Sequence, residues 1–390
     1  MKNFHKLRFG VILALAFCML LSLAACAEEE KDIMVQISQM TLREKIGQLF
    51  MVRPDALEKR FSAAELRDND VIGTTRISEE MRALYQEYPC GGFTLFRRNI
   101  ISPSQLRMFT SGLHALGTPA PMISIDEEGG RIARLANHPA NFGVKKVLPM
   151  GKIAASGDET LAYEAGREIG TYLTAYGFDI DFAPVADVNT NPLNPVIGDR
   201  AFGDDPSVAS RMIRQAIRGF HEGGVATCIK HFPGHGDTST DTHTGYAETQ
   251  KTWEEMLSCE MIPFRAGIEA GTDLVMTAHI SAPAVTGSTI PSTMSSVILT
   301  EKLRGELGYD GLIITDALEM GAIMEKYSSA EASIACLEAG VDILLMPYDY
   351  CEAFDGIVEA VETGRLSVER IEQSVCRILR LKKTLAERAE

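Results

Sequence analysis

Short apolar runs, each ending abruptly in polar residues, recur along this sequence and restrict its fold more than any other feature. Each run has the length of a buried strand, and amphipathic stretches of helical spacing separate one run from the next. Runs that need burial on both faces and alternate with helices are typical of a parallel sheet covered on both sides. The runs span residues 48–52, 92–96, 122–126, 180–185, 225–230, 274–279, 312–316 and 341–346.

The number of runs favours one α/β architecture over another. Eight alternating units predict a closed (β/α)8 barrel with a single catalytic domain, rather than an open doubly wound sheet. The first run, residues 48–52, is the weakest, because it could instead continue the preceding helix. Both architectures bind ligands where strands end, so we expect a site formed by the polar residues that end the runs. These residues are Asp126, Lys230, His231, His279 and Asp316.

The N-terminus has the pattern of an exported lipoprotein. Lys2, Lys6 and Arg8 precede an apolar run too short to span a membrane stably, as in a secretory signal peptide. Small residues stand directly before Cys26, and this resembles the lipobox of bacterial lipoproteins, so we expect Cys26 to be lipidated. The alternative is an ordinary signal peptide cleaved after Ala25, with an incidental cysteine.

These features predict three segments and a location. We expect a signal peptide at residues 1–25, a tether at 26–34 and the barrel domain at 35–390. The protein would lie outside the cytoplasm, held at the bacterial cell membrane by its lipid anchor alone. A formal net charge of −15 argues against nucleic acid as a partner. The later cysteines are widely spaced and form no CxxC pair, so we expect no disulfide framework and no zinc knuckle.

The stretch KHFPGHGDTSTDTHTG, residues 230–245, gathers titratable groups and glycines in one loop. Asp241 and His243 are two apart, so in an extended segment their side chains point the same way. The carboxylate can then fix the imidazole tautomer and raise its basicity, and the free ring nitrogen can transfer a proton near neutral pH. The glycines would let such a loop close over a ligand.

A metal site is the alternative interpretation of this loop. Histidine and aspartate side chains could supply enough ligands for zinc. Ligands carried by one mobile loop make a poorly preorganised site, however, so we expect no metal. The ligands would be His231, His235 and His243 with Asp237 or Asp241.

Asp316 is the candidate nucleophile. It follows a run that needs burial on both faces, so its carboxylate should lie at the barrel mouth beside low-dielectric walls. The alternative role for an aspartate after a strand is to cap the next helix. The segments DEEGGRIAR at 126–134 and NPVIGDRAF at 194–202 add carboxylates and arginines, which suit the hydroxyls of a sugar because these need both acceptors and donors.

Three motifs together resemble a known family. DEEGGRIARL, KHFPGHGDTSTDTHTG and GLIITDALEM occur in this order, and the sequence is similar to the barrel domain of glycoside hydrolase family 3 over nearly everything after the tether. The similarity is greatest to the β-N-acetylglucosaminidases of that family. It implies that Asp316 is the nucleophile and that His243, assisted by Asp241, is the general acid/base. It also implies that the terminal N-acetylglucosamine is held by Asp126, Arg134, Arg200, Lys230 and His231.

Two departures from the family pattern bear on the acid/base. The dyad reads Asp241-Thr242-His243, where the family commonly has serine between the two. We also expect no counterpart of the second α/β domain that supplies a carboxylic acid in the β-glucosidases of the family. The Asp241 and His243 pair would take over that role.

These residues predict an exo-acting, retaining β-N-acetylhexosaminidase. It would release non-reducing terminal N-acetylglucosamine from peptidoglycan or muropeptide fragments through a covalent Asp316 intermediate, without a cofactor. Three alternatives stay open at this point. They are phosphorolysis that yields a sugar 1-phosphate, β-glucosidase-like activity, and a sugar-binding lipoprotein without turnover.

Overall fold

The structure, a computed structural model, describes residues 28, 30–61, 65, 71–238 and 247–389. Cys26, Asp241 and His243 therefore lie outside the described residues. The chain divides into two units, Met1–Thr41 and Leu42–Glu390, and in the first of them residues 30–39 form a helix. Within the described part of the chain, no helix is both long and apolar enough to cross a membrane.

Eight described strands of the second unit pair in parallel, each with its neighbours in chain order. The ring closes because the first strand pairs with the last, at Phe50 and Leu344, and a bridge joins Ile314 to Ile343. The predicted (β/α)8 barrel is confirmed. The strands are β1 Phe50–Val52, β2 Gly92–Thr94, β3 Met122–Ile125, β4 Ile180–Asp181, β5 Ala226–Phe232, β6 Leu274–Thr277, β7 Leu312–Thr315 and β8 Leu344–Leu345.

Several strands are shorter than the predicted runs. Gln48 ends the preceding helix, so the first run divides between a helix and β1. The run 180–185 keeps regular strand pairing only in β4, and Val185 forms an isolated bridge with Lys230. The run 225–230 is extended instead, since β5 continues to Phe232 and so includes Lys230 and His231.

Helices alternate with the strands and bury one face each. In Pro206–Glu222, buried Ala209, Met212, Ile213, Ala216 and Phe220 recur at helical spacing, and Asp205 caps the first turn by accepting from two backbone N–H groups. The α-helices of this unit are α1 Leu42–Gln48, α2 Glu79–Glu87, α3 Pro103–His114, α4 Met150–Ala155, α5 Thr160–Ala175, α6 Pro206–Glu222, α7 Trp253–Leu257, α8 Met261–Glu269, α9 Pro283–Thr286, α10 Gly321–Met324, α11 Ser329–Ala339, α12 Tyr350–Glu362 and α13 Val368–Ala389.

Shorter elements fill the connections. Glu127–Gly129 and Ile132–Ala133 form a small antiparallel ribbon directly after β3. Ala247–Glu248 pairs in parallel with Ile280–Ser281. Pro54–Leu57, Arg97–Asn99, Gly198–Arg200 and Ser292–Met294 are 3₁₀ helices, and Val297–Glu306 is a π-helix.

Helix α13 closes the amino-terminal end of the barrel. Its Ile378, Leu381 and Leu385 belong to the same buried cluster as the inward side chains of the strands. Its polar groups bind residues that precede strands: Lys382 Nζ donates to Gln48 Oε1 at 2.7 Å, and Arg388 Nη2 to Asp273 Oδ1 at 3.1 Å. The opposite, carboxyl-terminal end is left for a site.

Asp342, fully buried just before β8, fastens α13 to the barrel. One carboxylate oxygen accepts from Ser374 Oγ at 2.6 Å and Arg377 Nη1 at 3.1 Å. The other accepts from Arg304 Nη2 at 2.5 Å and from the backbone N–H of Ile313 at 3.0 Å. Two cations thus depend on one buried carboxylate.

Replacing Asp342 tests this arrangement. Asp342→Ala should lower the free energy of unfolding by about 3–5 kcal/mol, because it leaves two arginines without their buried counter-charge. Urea denaturation would measure the loss. Glu338→Ala is the control, since its pair with Arg365 is exposed and should contribute less than about 1 kcal/mol. Equal losses in the two variants would contradict the anchoring role.

Candidate active site

A cleft of about 1150 Å³ opens at the carboxyl ends of the barrel strands. Its lining includes residues that directly follow β1, β3, β7 and β8, namely Arg53, Asp126, Asp316 and Met346, and His231 near the end of β5. This is the end of a (β/α)8 barrel where sites are expected. The structure therefore places most of the polar residues that end the predicted runs in one cavity.

His279 is the exception among those polar residues. It is fully buried and is not part of the cleft lining, and its Nε2 lies 2.9 Å from the carbonyl oxygen of Ala317. This contact ties the segment after β6 to the residue after Asp316. The expectation that His279 faces the site is wrong, and its place is behind the site.

Lys230 lies at the centre of a chain of buried and partly buried charges. Its Nζ donates to Asp126 Oδ1 at 2.8 Å and lies 2.6 Å from Glu128 Oε1. Asp126 Oδ2 accepts from Arg134 Nη2 at 3.3 Å, and Glu128 accepts from Arg200 Nε and Nη2, each at 2.8 Å. Four of the residues predicted to bind sugar are thereby brought together.

The same charges fix the ionisation of the cluster. Burial opposes a charge on Asp126, but Lys230 and Arg134 outweigh it and hold the pKa of this carboxyl below its usual range. Burial likewise opposes a charge on Glu128, yet Arg200 and Lys230 lower its pKa strongly. The two carboxylates outweigh burial at Lys230 and raise its pKa. The cluster therefore presents charged donors and acceptors at neutral pH.

His231, the fifth predicted sugar-binding residue, is held by Asp187. His231 Nδ1 lies 2.6 Å from Asp187 Oδ2, and the other oxygen accepts from the backbone N–H of His235 at 2.6 Å. His231 Nε2 faces Arg200 Nη2 at 3.4 Å, which joins the imidazole to the charged chain. His235 is buried, and its Nδ1 lies 2.6 Å from Thr238 Oγ1, so this ring braces the loop.

The turn that carries Asp126 and Glu128 is fixed from behind by Glu127. The carboxylate of Glu127 accepts from the N–H groups of Leu135 and Ala136, each at 2.9 Å, and from Tyr172 Oη at 2.8 Å. Its own N–H donates to Asp181 Oδ1 at 2.9 Å. Burial raises the pKa of both Glu127 and Asp181. Asp126 and Glu128 thus face the cleft, whereas Glu127 between them faces the interior.

Asp316 lies on the cleft wall directly after β7. Its backbone N–H donates to the carbonyl oxygen of Thr277 at 2.9 Å, and its Oδ1 accepts from the N–H of Ala317 at 2.8 Å. The next helix, α10, has Met320 as its N-cap residue. The capping alternative for Asp316 is therefore wrong, and the residue lines the cleft.

The acid/base prediction and the metal alternative both include residues that the structure does not describe. Asp241 and His243 fall between residues 238 and 247. Among the described residues, no three His, Cys, Asp or Glu side chains are grouped as metal ligands would be. Since the alternative also needs the undescribed residues, both interpretations stay predictions.

Three members of the site were not predicted from the sequence. Glu128 stands two residues after Asp126 and thus on the same side of an extended segment, a pattern that could have identified it. Asp187 stands two residues after the end of the run 180–185. Arg53 directly follows the first run, donates from Nη2 to Glu319 Oε1, and lies with its Cζ 4.6 Å from the Phe96 ring centroid.

Comparisons with known proteins identify a family for this chain. Residues 41–381 match the glycosyl hydrolase family 3 N terminal domain. Beta-hexosaminidase A of Pseudoalteromonas piscicida is 34% identical over 336 residues, which are 80% of this chain and 56% of that protein. A beta-hexosaminidase of Alkalilimnicola ehrlichii is 35% identical over 278 residues, which are 70% of this chain and 78% of that protein.

A solved structure extends the comparison. It is a glycoside hydrolase family 3 beta-N-acetylglucosaminidase from Paenibacillus sp. str. FPU-7, with a TM-score of 0.80 and 40% sequence identity. The match covers 89% of this chain and 63% of that chain. Against this structure and the Pseudoalteromonas protein, this chain spans less than two thirds of the relative's length.

The buried charges predict a pH-dependent stability. Lowered pKa values mean that Asp126 and Glu128 stabilise the fold fully above their ordinary values of 3.8 and 4.5, and that this contribution is lost as the pH falls below them. Lys230→Met removes a cation that lowers both of these pKa values. It should cost about 3–5 kcal/mol of unfolding free energy near pH 7.

The cost of Lys230→Met should shrink as the pH falls from about 4 through the lowered pKa values of the two carboxyls, because the unfolded chain takes up protons there before the native protein does. Urea denaturation of wild type and variant, from about pH 7 down to below about pH 4, measures the difference in unfolding free energy. Arg214→Met removes an exposed pair with Glu269 and should cost less than about 1 kcal/mol throughout. A Lys230→Met cost that does not change with pH would contradict the coupling.

Proposed function

This chain belongs to glycosyl hydrolase family 3, and from that premise we propose that it is a retaining β-N-acetylhexosaminidase that acts without a cofactor. The observation that carries the proposal is the position of Asp316 on the wall of the same cleft as the charged chain around Lys230. Relatives named beta-hexosaminidase, at 34 and 35% identity, support the reaction class.

The linked ion pairs around Lys230 are suited to binding the terminal sugar. A sugar hydroxyl both donates and accepts, so it can bridge a carboxylate such as Asp126 and a cation such as Lys230, Arg134 or Arg200. The inner end of the cleft is closed by Lys230 and His231, which are 2 and 6% exposed. A closed inner end admits the end of a sugar chain and leaves no passage for its middle, so we infer exo action from the non-reducing end.

The proposed mechanism has two steps. In the first, a carboxylate oxygen of Asp316 attacks the anomeric carbon, the glycosidic bond breaks, and His243 donates its proton to the leaving oxygen. In the second, His243 takes a proton from water, whose oxygen attacks the anomeric carbon, and the bond to Asp316 breaks. This frees the Asp316 carboxylate and releases the sugar with retained configuration. Asp241 orients the imidazole through both steps. The roles of His243 and Asp241 rest on the family motif.

The contacts of Glu127 disfavour a substrate-assisted mechanism. That route would use an adjacent acidic pair, here Asp126 and Glu127, to orient the acetamide of the substrate as an internal nucleophile. Glu127 is fully buried and already accepts from two backbone N–H groups and Tyr172. Its carboxylate is therefore committed to the turn and does not line the cleft.

We further propose peptidoglycan or muropeptide fragments as the substrate and a lipid anchor at Cys26 as the attachment to the membrane. Support comes from the N-terminal pattern before Cys26 and from the N-acetylglucosamine that such fragments carry. Turnover of a disaccharide fragment with and without phosphate, with identification of free sugar or sugar 1-phosphate, tests the substrate and separates hydrolysis from phosphorolysis.

Asp316→Asn tests the nucleophile. We expect turnover to fall by several orders of magnitude with an unchanged thermal melt by circular dichroism, because the side chain acts in the chemistry and does not cap a helix. A 2-fluoro sugar should label Asp316 covalently in the wild type. Asp310→Asn, whose side chain is 85% exposed, is the control and should retain activity. Near wild-type turnover in Asp316→Asn, or no labelled residue, would remove Asp316 from this role.

His243→Ala tests the acid/base through the leaving group. A sugar alkoxide departs readily only when it is protonated, whereas a nitrophenolate departs almost without a proton. The first step should therefore slow by about 10²- to 10⁴-fold on a disaccharide and much less on the aryl glycoside. Azide, which needs no base, should restore turnover of the aryl glycoside as glycosyl azide. Asp241→Ala should show the same pattern more weakly. Equal slowing of both substrates without azide rescue means that His243 is not the acid/base.

A further inference from the structure

The outer part of the cleft differs in chemistry from its inner end. One side, here called the outer wall, consists of Ile72, Arg97, Ile101 and residues 138–140. Ile72 and Ile101 are 69 and 49% exposed, whereas the charged residues of the inner end are buried. The outer wall is thus mostly apolar and open to solvent, yet continuous with the proposed sugar pocket.

The loops of the outer wall are tied to one another by hydrogen bonds. Asn99 Nδ2 donates to the carbonyl oxygen of Thr74 at 3.0 Å, and the N–H of Gly73 donates to the carbonyl oxygen of Arg98 at 2.9 Å. His138 Nε2 lies 3.1 Å from the carbonyl oxygen of Ile100. Three separate segments therefore form one surface, which is held in place before any ligand binds.

Arg97 supplies the charge on this surface. Its side chain is exposed and lines the cleft, and it has no carboxylate partner among the described residues. The adjacent Arg98 is different, because its side chain is fully buried beside Asp55 at 3.6 Å. Arg97 is consequently a cation that a ligand can reach.

His138 does not compete with Arg97 as a second cation. Its Nε2 faces the carbonyl oxygen of Ile100, and its Nδ1 accepts from the N–H of Ala140 at 3.1 Å, so both ring nitrogens are engaged. Burial lowers the pKa of His138. The hydrogen bond to the Ile100 carbonyl acts in the opposite direction, and the charge of Arg97 lowers the pKa further. The ring is therefore neutral at neutral pH, and the outer wall carries a single positive charge among its described residues.

The position of the outer wall determines what can lie on it. The closed inner end holds the terminal sugar, so the rest of a substrate must extend toward solvent along the exposed wall. A cleft of about 1150 Å³ is larger than the 300–1,000 Å³ typical of pockets for whole small ligands, and one sugar does not fill it. Room for a leaving group is thus present beside Arg97.

We propose that the outer wall binds the leaving group of the substrate and that Arg97 pairs with a carboxylate on that group, next to an apolar face that packs on Ile72 and Ile101. This inference rests on the proposed glycosidase function and specifies its substrate class. A guanidinium and a carboxylate match as a planar, two-bond pair of opposite unit charges. A doubly charged phosphate would exceed the single charge of Arg97, and the exposed Glu325 also lines the cleft.

Two aryl glycosides of nearly the same shape test the pairing. They are the 3-carboxyphenyl and 3-carbamoylphenyl β-N-acetylglucosaminides, which differ chiefly in one negative charge. In the wild type, kcat/KM should be about 3- to 10-fold higher for the carboxylate at low salt, and this ratio should fall toward about 1 at high ionic strength. In Arg97→Gln the ratio should be about 1 at all salt concentrations.

Glu325→Gln is the matched control on the same cleft. If general charge at the mouth set the preference, this variant would raise the ratio as much as Arg97→Gln lowers it, whereas a direct pair predicts a smaller change. A wild-type ratio near 1, or a preference that survives Arg97→Gln, would overturn the inference alone. Failure of the wild type to hydrolyse either glycoside would overturn the proposed function and the inference with it.

Discussion

Burial of a cation among carboxylates is the constraint on which the rest of the site depends. Lys230 lies in β5, whereas Asp126 and Glu128 follow β3, so the charges meet only when the sheet between them is formed. Each charge would be costly to bury alone, and each pKa shift shows that its partners outweigh that cost. The fold and the binding surface are thus established by the same contacts.

The two ends of the barrel have different roles: the amino-terminal end stabilises the fold, and the carboxyl-terminal end carries the cleft. At the amino-terminal end, Asp342 and the apolar face of α13 seal the core. At the carboxyl-terminal end, side chains stay reachable and are fixed by neighbours behind them, as Asp187 fixes His231 and Glu127 fixes the turn around Asp126. Rigid groups in an open cleft are what positioning of a sugar ring requires.

Much of this architecture could be predicted from local sequence pattern. Buried-strand runs that alternate with amphipathic stretches identified the barrel, and the polar residues that end them identified Asp126, Lys230, His231 and Asp316. Other features are not local. The spacing from Asp126 could identify Glu128 itself, but not its pairing with Lys230, 102 positions away. Asp187 likewise pairs with His231, 44 positions away, and no spacing rule reports such pairs. The end of α1 at Gln48 and the shortness of β4 depend on backbone pairing that apolar runs do not specify.

Ring closure has a consequence for how the chain folds during synthesis. Strand β1 finds its second neighbour only in β8, and the core is completed by Leu381 and Leu385 of α13. A growing chain that has produced six or seven strands therefore exposes an apolar sheet edge and an open barrel interior, with nothing yet made to cover them. Folding joins the earliest strand of the barrel to its last strand and to the helix that follows it, which favours a cooperative collapse over stepwise growth.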